Sequence, residues 1–187
     1  MILAGGEATR LPGKLALAAG EVPMLVRVYR NVSPGRDTWL STKGPLAPEL
    51  GELAGARQVV DRWKLRGPLS GLVSTMSAMP HEWVFAVAGD APFVDATFIG
   101  TLEDCTSPEL DAIVPRHDER RVEPLAALYR REAFVREGNA VLANGDGALR
   151  LVLERLRTAF VEVDDPRIFT NVNTLADYAA LREALGS

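Results

Sequence analysis

The chain has 187 residues, which is enough to bury a sizeable core, and 47% hydrophobic with 25% charged residues is an ordinary composition for a globular protein. The 21 Lys and Arg against 25 Asp and Glu give a formal net charge of −4, which argues against a protein that coats nucleic acid. A single cysteine, Cys105, excludes an internal disulfide and a cysteine metal cluster, and we expect its thiol to be at least partly buried. Without a secretory leader or an apolar run near the roughly twenty residues of a membrane span, we predict a cytoplasmic protein with no membrane partner.

Short apolar runs alternate with amphipathic segments along the whole chain. In chain order we predict a strand over 1–4, a helix over 22–32, a strand over 37–42, a helix over 46–55, a strand over 56–61, a helix over 69–79, a strand over 82–90, a helix over 95–104, strands over 111–115 and 124–129, helices over 131–145 and 147–157, a strand over 160–163 and a helix over 175–185. This alternation predicts one domain over residues 1–187, a three-layer α/β/α fold with a mainly parallel, Rossmann-like sheet. Ligands of such folds bind in the loops that follow the carboxyl ends of the strands.

The first of these loops follows the opening strand and reads AGGEATRLPGK, residues 4–14. It is not a Walker A loop, because alanine stands where the first glycine should be and Leu15 stands where the hydroxyl should be. It also lacks the Gly-x-Gly-x-x-Gly dinucleotide pattern. Adjacent glycines nevertheless let main-chain N–H groups approach a phosphate, and Arg10 and Lys14 supply positive charge. The sequence therefore predicts a phosphate-binding loop, with an ordinary turn and incidental charges as the alternative.

Three later segments carry polar residues at the ends of strands or before a helix. Asp90, in GDAPFV, ends the most apolar strand and is placed to bind a hard cation such as Mg²⁺, or else to shape a turn. Asp61 ends another strand just before the Gly67-Pro68 turn. Asn171 and Asn173 share one side of an extended segment, although this segment could also simply cap the last helix.

Taken in order, LAGG with Arg and Lys, VVD, GPLSGL, GDAPF, EPLAALY and NVNT resemble the molybdenum cofactor guanylyltransferase family (MobA-type) over nearly the whole chain. The resemblance implies the nucleotide-diphospho-sugar transferase type of α/β fold, GTP as donor, Mg²⁺ as cofactor and molybdenum-bearing molybdopterin as acceptor. The implied reaction transfers GMP to the terminal phosphate of molybdopterin and releases pyrophosphate. Proteins of the cofactor pathway and molybdoenzymes are the implied protein partners.

The resemblance also implies roles for the matching residues. Lys14, Arg10 and Asp90 would be catalytic, with Asp90 as the Mg²⁺ ligand. The nucleotide-binding set would be Leu3, Ala4, Gly5, Gly6, Lys14, Ser41, Asp61, Gly67, Pro68 and Asp90. Asn171 and Asn173 would face the acceptor or the metal. The stretch from Arg10 to Lys14 is shorter than the family pattern, which bears on how Arg10 and Lys14 would hold the β and γ phosphates.

Three other functions remain open on the sequence. A CTP-dependent molybdopterin cytidylyltransferase would use the same acceptor, and a sugar-phosphate or isoprenoid-phosphate nucleotidyltransferase would share the opening loop. A non-catalytic nucleotide-binding or cofactor-delivery protein could keep the same fold. Because a phosphate nucleophile is already ionised at pH 7, none of the transferase hypotheses requires a general base.

Overall fold

The structure is a computed structural model that describes residues 1–5, 10–61, 67–117 and 121–186. The strands in this part of the chain are β1 (Ile2–Leu3), β2 (Ala18–Ala19), β3 (Val22–Pro23), β4 (Trp39–Thr42), β5 (Arg57–Val60), β6 (Trp83–Ala88), β7 (Ala112–Arg116), β8 (Ala126–Arg130) and β9 (Thr158–Glu162). The α-helices are α1 (Met24–Val32), α2 (Leu69–Ala78), α3 (Ala96–Glu103), α4 (Arg131–Ala143), α5 (Leu149–Leu153) and α6 (Leu175–Ala184). Short 3₁₀ helices cover Lys14–Ala16, Pro48–Leu53 and Pro166–Phe169.

Seven strands form one sheet in the order β5-β4-β1-β6-β8-β7-β9, and β2 and β3 form a separate antiparallel hairpin. β5, β4, β1 and β6 run parallel to one another, as do β7 and β9, whereas β8 runs antiparallel to β6 and β7. The predicted mainly parallel sheet is therefore confirmed, with β8 as the exception. Since parallel strands end at one edge, the loops after β1, β4, β5 and β6 meet there.

Helices cover both faces of the sheet, as the predicted three-layer arrangement requires. Along β6, Val84 and Ala86 belong to the core cluster that includes α2 and α4, whereas Phe85 and Val87 belong to the cluster that includes α1 and α3. Alternate residues of one strand thus enter two different cores. This confirms the interpretation of the unbroken apolar run as a strand buried on both faces.

The structure corrects several predicted element boundaries. The opening strand is shorter than 1–4, and residues 22–23 pair with β2 around Gly20, so α1 begins only after Pro23. The segment 46–55 contains a 3₁₀ helix over Pro48–Leu53 instead of an α-helix, and Leu50 breaks it with non-helical backbone angles (φ −95°, ψ 20°). The helix predicted over 147–157 is only the five residues of α5. The last strand is Thr158–Glu162 (β9) instead of 160–163.

Two further observations concern the surface. Cys105 is exposed, contrary to expectation, because it lies in the turn after α3, where its thiol donates to the Thr101 carbonyl. Among the residues that the structure describes, no helix is long and apolar enough to cross a membrane.

Candidate functional site

The candidate site lies at the carboxyl edge of the four parallel strands. Backbone hydrogen bonds hold the loops there together: the Ala4 N–H donates to the Ser41 carbonyl (2.8 Å), and the Gly89 N–H donates to the Leu3 carbonyl (2.9 Å). The Asp61 N–H likewise donates to the Thr42 carbonyl (2.7 Å). The residues that follow β1, β4, β5 and β6 are therefore fixed in register side by side.

Gly13 determines where Lys14 begins its 3₁₀ turn. Gly13 has φ 70°, in the left-handed region that glycine enters easily, and Lys14 follows it directly. The Ala16 N–H donates to the Gly13 carbonyl (2.9 Å), while Leu11 is buried in the small core beside the hairpin. The short RLPGK stretch thus presents Lys14 on a compact turn, and Arg10 stays exposed.

Lys14 joins three distant parts of the chain. Its ammonium group forms an ion pair with the Asp90 carboxylate and donates a hydrogen bond of 2.8 Å to Asn173 Oδ1. The Lys14 and Asp90 side chains are only 14% and 12% exposed. The Val172 N–H also donates to the Asp90 carbonyl (3.0 Å), so the backbone fixes the same proximity. Lys14, Asp90 and Asn173, which were predicted from three separate segments of the sequence, therefore form one cluster of side chains.

The start of α6 orients Asn173. Thr174 is the N-cap of α6, and its hydroxyl accepts from the Asp177 N–H, while the Asp177 carboxylate accepts from the N–H groups of Asn173 and Thr174 (2.9 and 2.8 Å). The pKa of Asp177 lies below its ordinary value, first because of the Asn173 N–H and then because of Thr174, with the positive charge of Arg10 acting in the same direction. The helix cap expected as the alternative exists, but Thr174 forms it, and the side chain of Asn173 binds Lys14.

A second polar cluster follows β4 and β5. The Asp61 carboxylate accepts from Lys43 (Nζ–Oδ2 2.7 Å), from Ser70 (Oγ–Oδ2 2.6 Å) and, more weakly, from Ser74 (Oγ–Oδ1 3.4 Å). Its side chain is 3% exposed, whereas that of Lys43 is 42% exposed. The hydrogen bonds and the ion pair offset the cost of burying this carboxylate. The Lys43 side chain, unlike that of Asp61, is therefore partly open to solvent.

The glycines of the GPLSGL and GDAPF segments allow close approach of backbones. A Cβ at Gly71 would lie 2.8 Å from Ser41 Oγ, and one at Gly89 would lie 2.9 Å from the Leu3 carbonyl oxygen. Gly67 has φ 106°, which turns the chain into Pro68 and the start of α2. These segments bring α2 and the loop after β6 against the end of β1.

The model of the MobA-like NTP transferase domain matches residues 1–163. The chain belongs to this family. The MobA-like family assignment is supported by a molybdenum cofactor guanylyltransferase of Burkholderia ambifaria (strain MC40-6), 32% identical over 97% of this chain and 93% of that protein. A molybdenum cofactor guanylyltransferase of Vibrio cholerae is 28% identical over 97% of this chain and 91% of that protein.

Solved structures show the same fold. Molybdopterin-guanine dinucleotide biosynthesis protein A from Archaeoglobus fulgidus superposes with a TM-score of 0.85, covering 99% of this chain and 97% of that one at 23% identity. The mainly parallel α/β fold of the MobA-like family expected from the sequence is thereby confirmed.

The remaining residues selected from the sequence occupy varied positions in this MobA-like domain. Leu3, Ala4 and Gly5 lie at the end of β1 beside the site, and Asn171 is half-buried on the segment that leads to Asn173. Ser41 is buried, and its hydroxyl donates to the Gly71 carbonyl (3.2 Å). Gly6 lies outside the described residues. The nucleotide and acceptor contacts of all these residues stay predictions.

Lys43, Ser70 and Ser74 are not among the site residues predicted from the sequence. Lys43 follows β4 directly, so the rule that ligands bind after parallel strands could have found it. Ser70 and Ser74 are four residues apart on α2 and therefore share one helix face. Their role depends on where α2 packs, which the serine spacing alone does not reveal.

The donor set suits Mg²⁺ bound together with a substrate. Asp90 offers a carboxylate and Asn173 an amide oxygen at the same point, since both contact Lys14 Nζ. Within the described residues there is no group of three His, Cys, Asp or Glu that could enclose a metal ion. Mg²⁺ commonly uses one or two carboxylates, with substrate phosphates and water as its other ligands. The residues present therefore fit a Mg²⁺ ion carried by a nucleotide.

Proposed function

We propose that this protein transfers GMP from GTP to the terminal phosphate of molybdenum-bearing molybdopterin and releases pyrophosphate. The observation that carries the proposal is the contact of Lys14 with both Asp90 and Asn173. It unites the glycine-rich loop, the loop after β6 and the Asn-x-Asn-Thr segment in one site. The names of the MobA-like relatives supply the donor and the acceptor.

The reaction requires positioning and charge more than proton transfer. An oxygen of the acceptor phosphate attacks the α-phosphorus of GTP, a new P–O bond forms, and the bond to the β-phosphate oxygen breaks with its electron pair leaving on pyrophosphate. A phosphate monoester has its second pKa near 6, so the nucleophile is ionised at pH 7. His81 contacts Asp37 and His117 packs on Phe169, so neither serves as a base in this proposal.

Lys14 and Arg10 supply the positive charge that the leaving pyrophosphate needs. In this structure the Lys14 ammonium neutralises Asp90, and an incoming triphosphate offers it a second anionic partner. Asp90, with the Asn173 amide oxygen, would hold the Mg²⁺ that accompanies the triphosphate; when bound, this ion neutralises phosphate charge. Arg10 is exposed beside the start of α6 and can add charge at the same side.

The order of the strands suggests how the two substrates lie. Asp90 follows β6, and Lys43 and Asp61 follow β4 and β5 on the far side of β1. With the phosphates at Lys14 and Asp90, the nucleoside would extend across β1 toward β4, and the acceptor would approach from the side of α6. Partner proteins of the cofactor pathway, molybdoenzymes as recipients and a cytoplasmic location remain predictions from the sequence.

The decisive experiment is pyrophosphate release from GTP, CTP and ATP by the full chain, each with and without molybdopterin. We expect release that requires both GTP and molybdopterin, and a product that carries the guanine nucleotide. Release with CTP in place of GTP would instead establish the cytidylyl reaction. Nucleotide binding with no release under any condition would overturn the enzymatic proposal.

Two substitutions test the cluster of Lys14, Asp90 and Asn173 itself. Lys14→Met and Asp90→Asn should each reduce pyrophosphate release by about 100-fold or more, because each removes a charge that acts on the phosphates. Arg150→Met and Asp104→Asn remove the same charges at exposed positions and should leave release unchanged. Circular dichroism of all four variants checks that the fold is retained. Unaltered release by either site variant would contradict the assigned role.

A further inference from the structure

Lys43 occupies an unusual position among the site residues. Its ammonium group holds the Asp61 carboxylate at 2.7 Å, yet its side chain is 42% exposed while that of Asp61 is 3% exposed. Ser70 and Ser74 hold the same carboxylate from α2. Asp61 is thus enclosed among protein donors, whereas part of the Lys43 side chain reaches the surface of this cluster.

The stem of Lys43 packs beside the glycine-rich loop. A Cβ at Gly5 would lie 3.0 Å from Lys43 Cγ and 3.1 Å from the Lys43 nitrogen, so a larger residue there would push Lys43 back by a few tenths of an ångström. Asp90 lies on the other side of β1, after β6. Neighbouring strands are about 5 Å apart, which places Lys43 and Asp90 about 10 Å apart across the sheet. This separation matches the distance between the phosphates and the base of one nucleotide.

We propose that Lys43 reads the base of the nucleotide and selects guanine, with Asp61, Ser70 and Ser74 as the residues that position it. Guanine offers O6 and N7 as adjacent acceptors, which suit an ammonium donor. Adenine carries an amino donor in place of O6, and cytosine carries one at the corresponding edge. A lysine fixed by a buried carboxylate therefore favours guanine and disfavours both other bases. This inference rests on the proposed nucleotidyltransferase function and assigns its base specificity to one side chain.

The test is equilibrium binding of nucleoside triphosphates to the full chain, with no acceptor present. The probes are GTP, CTP, ATP and the triphosphate of 2-aminopurine riboside, which lacks O6. We expect the wild type to prefer GTP to the 2-aminopurine analogue by about 10- to 100-fold, as for a hydrogen bond from a charged donor. Lys43→Met should weaken GTP binding by a similar factor and bring the two ligands within about threefold.

Four further variants complete the test. Lys43→Met leaves the buried Asp61 carboxylate without its lysine, so the double variant Lys43→Met/Asp61→Asn removes both charges together and should show the same loss of selectivity. Arg57→Met removes an exposed cation at the start of β5, away from the site, and should keep the selectivity of the wild type. Ser70→Ala should raise KM for GTP with kcat retained, whereas Ser77→Ala, whose hydroxyl donates only to the Val73 carbonyl in the described contacts, should change neither.

The outcomes separate this inference from the proposed function. If GTP transfer proceeds and both Lys43 variants keep the preference for GTP over the 2-aminopurine analogue, Lys43 does not read the base and the inference is wrong. If the wild type binds no nucleoside triphosphate and releases no pyrophosphate, the proposed function is wrong and the inference falls with it. Selectivity lost in the Lys43 variants but kept in Arg57→Met supports the inference.

Discussion

Gly71→Ala tests how closely α2 approaches the sheet beneath the site. A Cβ at Gly71 would lie 2.8 Å from Ser41 Oγ, closer than a Cβ atom approaches any atom, and 3.0 Å from Leu3 Cδ2, closer than most Cβ contacts. Ser41 is on β4 and Leu3 on β1, and both are near the carboxyl edge. Adding one methyl group here should therefore displace α2 or the strand ends, and with them the Asp61 cluster.

The expected magnitude follows from comparison with a second helical glycine. Gly100 lies in α3, and no described atom is within 4 Å of the Cβ that alanine would add there. Alanine is preferred to glycine within a helix by about 1 kcal/mol, and this gain applies at both positions. Inserting a methyl group into a packed core costs about 1–3 kcal/mol, and this cost applies only at Gly71. Gly71→Ala should thus be about 1–3 kcal/mol less stable than Gly100→Ala.

The assay is urea unfolding of both variants, followed by circular dichroism. For a chain of this size a difference of 1 kcal/mol corresponds to about 2–4 °C in melting temperature, which gives an independent check. Ser41→Ala removes one of the two clashing atoms, so combining it with Gly71→Ala should recover part of the loss, by about 1 kcal/mol. Equal stability of Gly71→Ala and Gly100→Ala, together with no recovery in the double variant, would refute the argument.

Three other predictions follow from single contacts. The pKa of Asp111 lies below its ordinary value because the Arg157 guanidinium donates to both carboxylate oxygens (2.8 Å each). This stabilisation is present above the unfolded pKa of about 3.9 and is lost as the pH falls below it. The difference in urea stability between the wild type and Asp111→Asn should therefore close between pH 5 and about 2, and a constant difference would contradict this. Thr174→Ala should cost about 1 kcal/mol of stability through loss of the α6 cap and should raise KM for GTP, since the cap orients the residue that binds Lys14; unchanged stability would show that the cap is unimportant. Gly13→Ala and Gly35→Ala both place alanine at a positive φ (70° and 72°) and should each lower the stability of the fold by about 1–2 kcal/mol. Only Gly13→Ala should also weaken GTP binding. Equal GTP binding by both variants would show that the Gly13 turn does not position the site.

The parts of the site that sequence predicted best are those that depend on strand ends. Asp90 and Asp61 each follow an apolar run, and the rule for parallel sheets places both at one edge. The fold was predictable for the same reason, because the alternation of strand and helix patterns persists along most of the chain. The β2–β3 hairpin was missed because two-residue strands are too short to show an alternating pattern.

The parts that sequence did not predict depend on packing between distant segments. That Lys43 binds Asp61 follows from the pairing of β4 with β5, and that Ser70 joins them follows from the position of α2 against β4. Neither contact has a local signal. Cys105 was misjudged for a related reason, since its exposure depends on where α3 ends and not on its own apolar character.

The contact between Lys14 and Asn173 bears on how the activity is divided along the chain. The match to the MobA-like NTP transferase domain ends at residue 163, and Asn173 and α6 lie beyond it. Yet Asn173 shares the Lys14 ammonium with Asp90, and Val172 binds the backbone of Asp90. The segment after residue 163 is therefore part of the candidate site around Lys14 and not an appendage to it. Under the proposed function, a triphosphate that binds Lys14 shares the three N–H donors of its ammonium group with Asp90 and Asn173, which links nucleotide binding to the segment before α6.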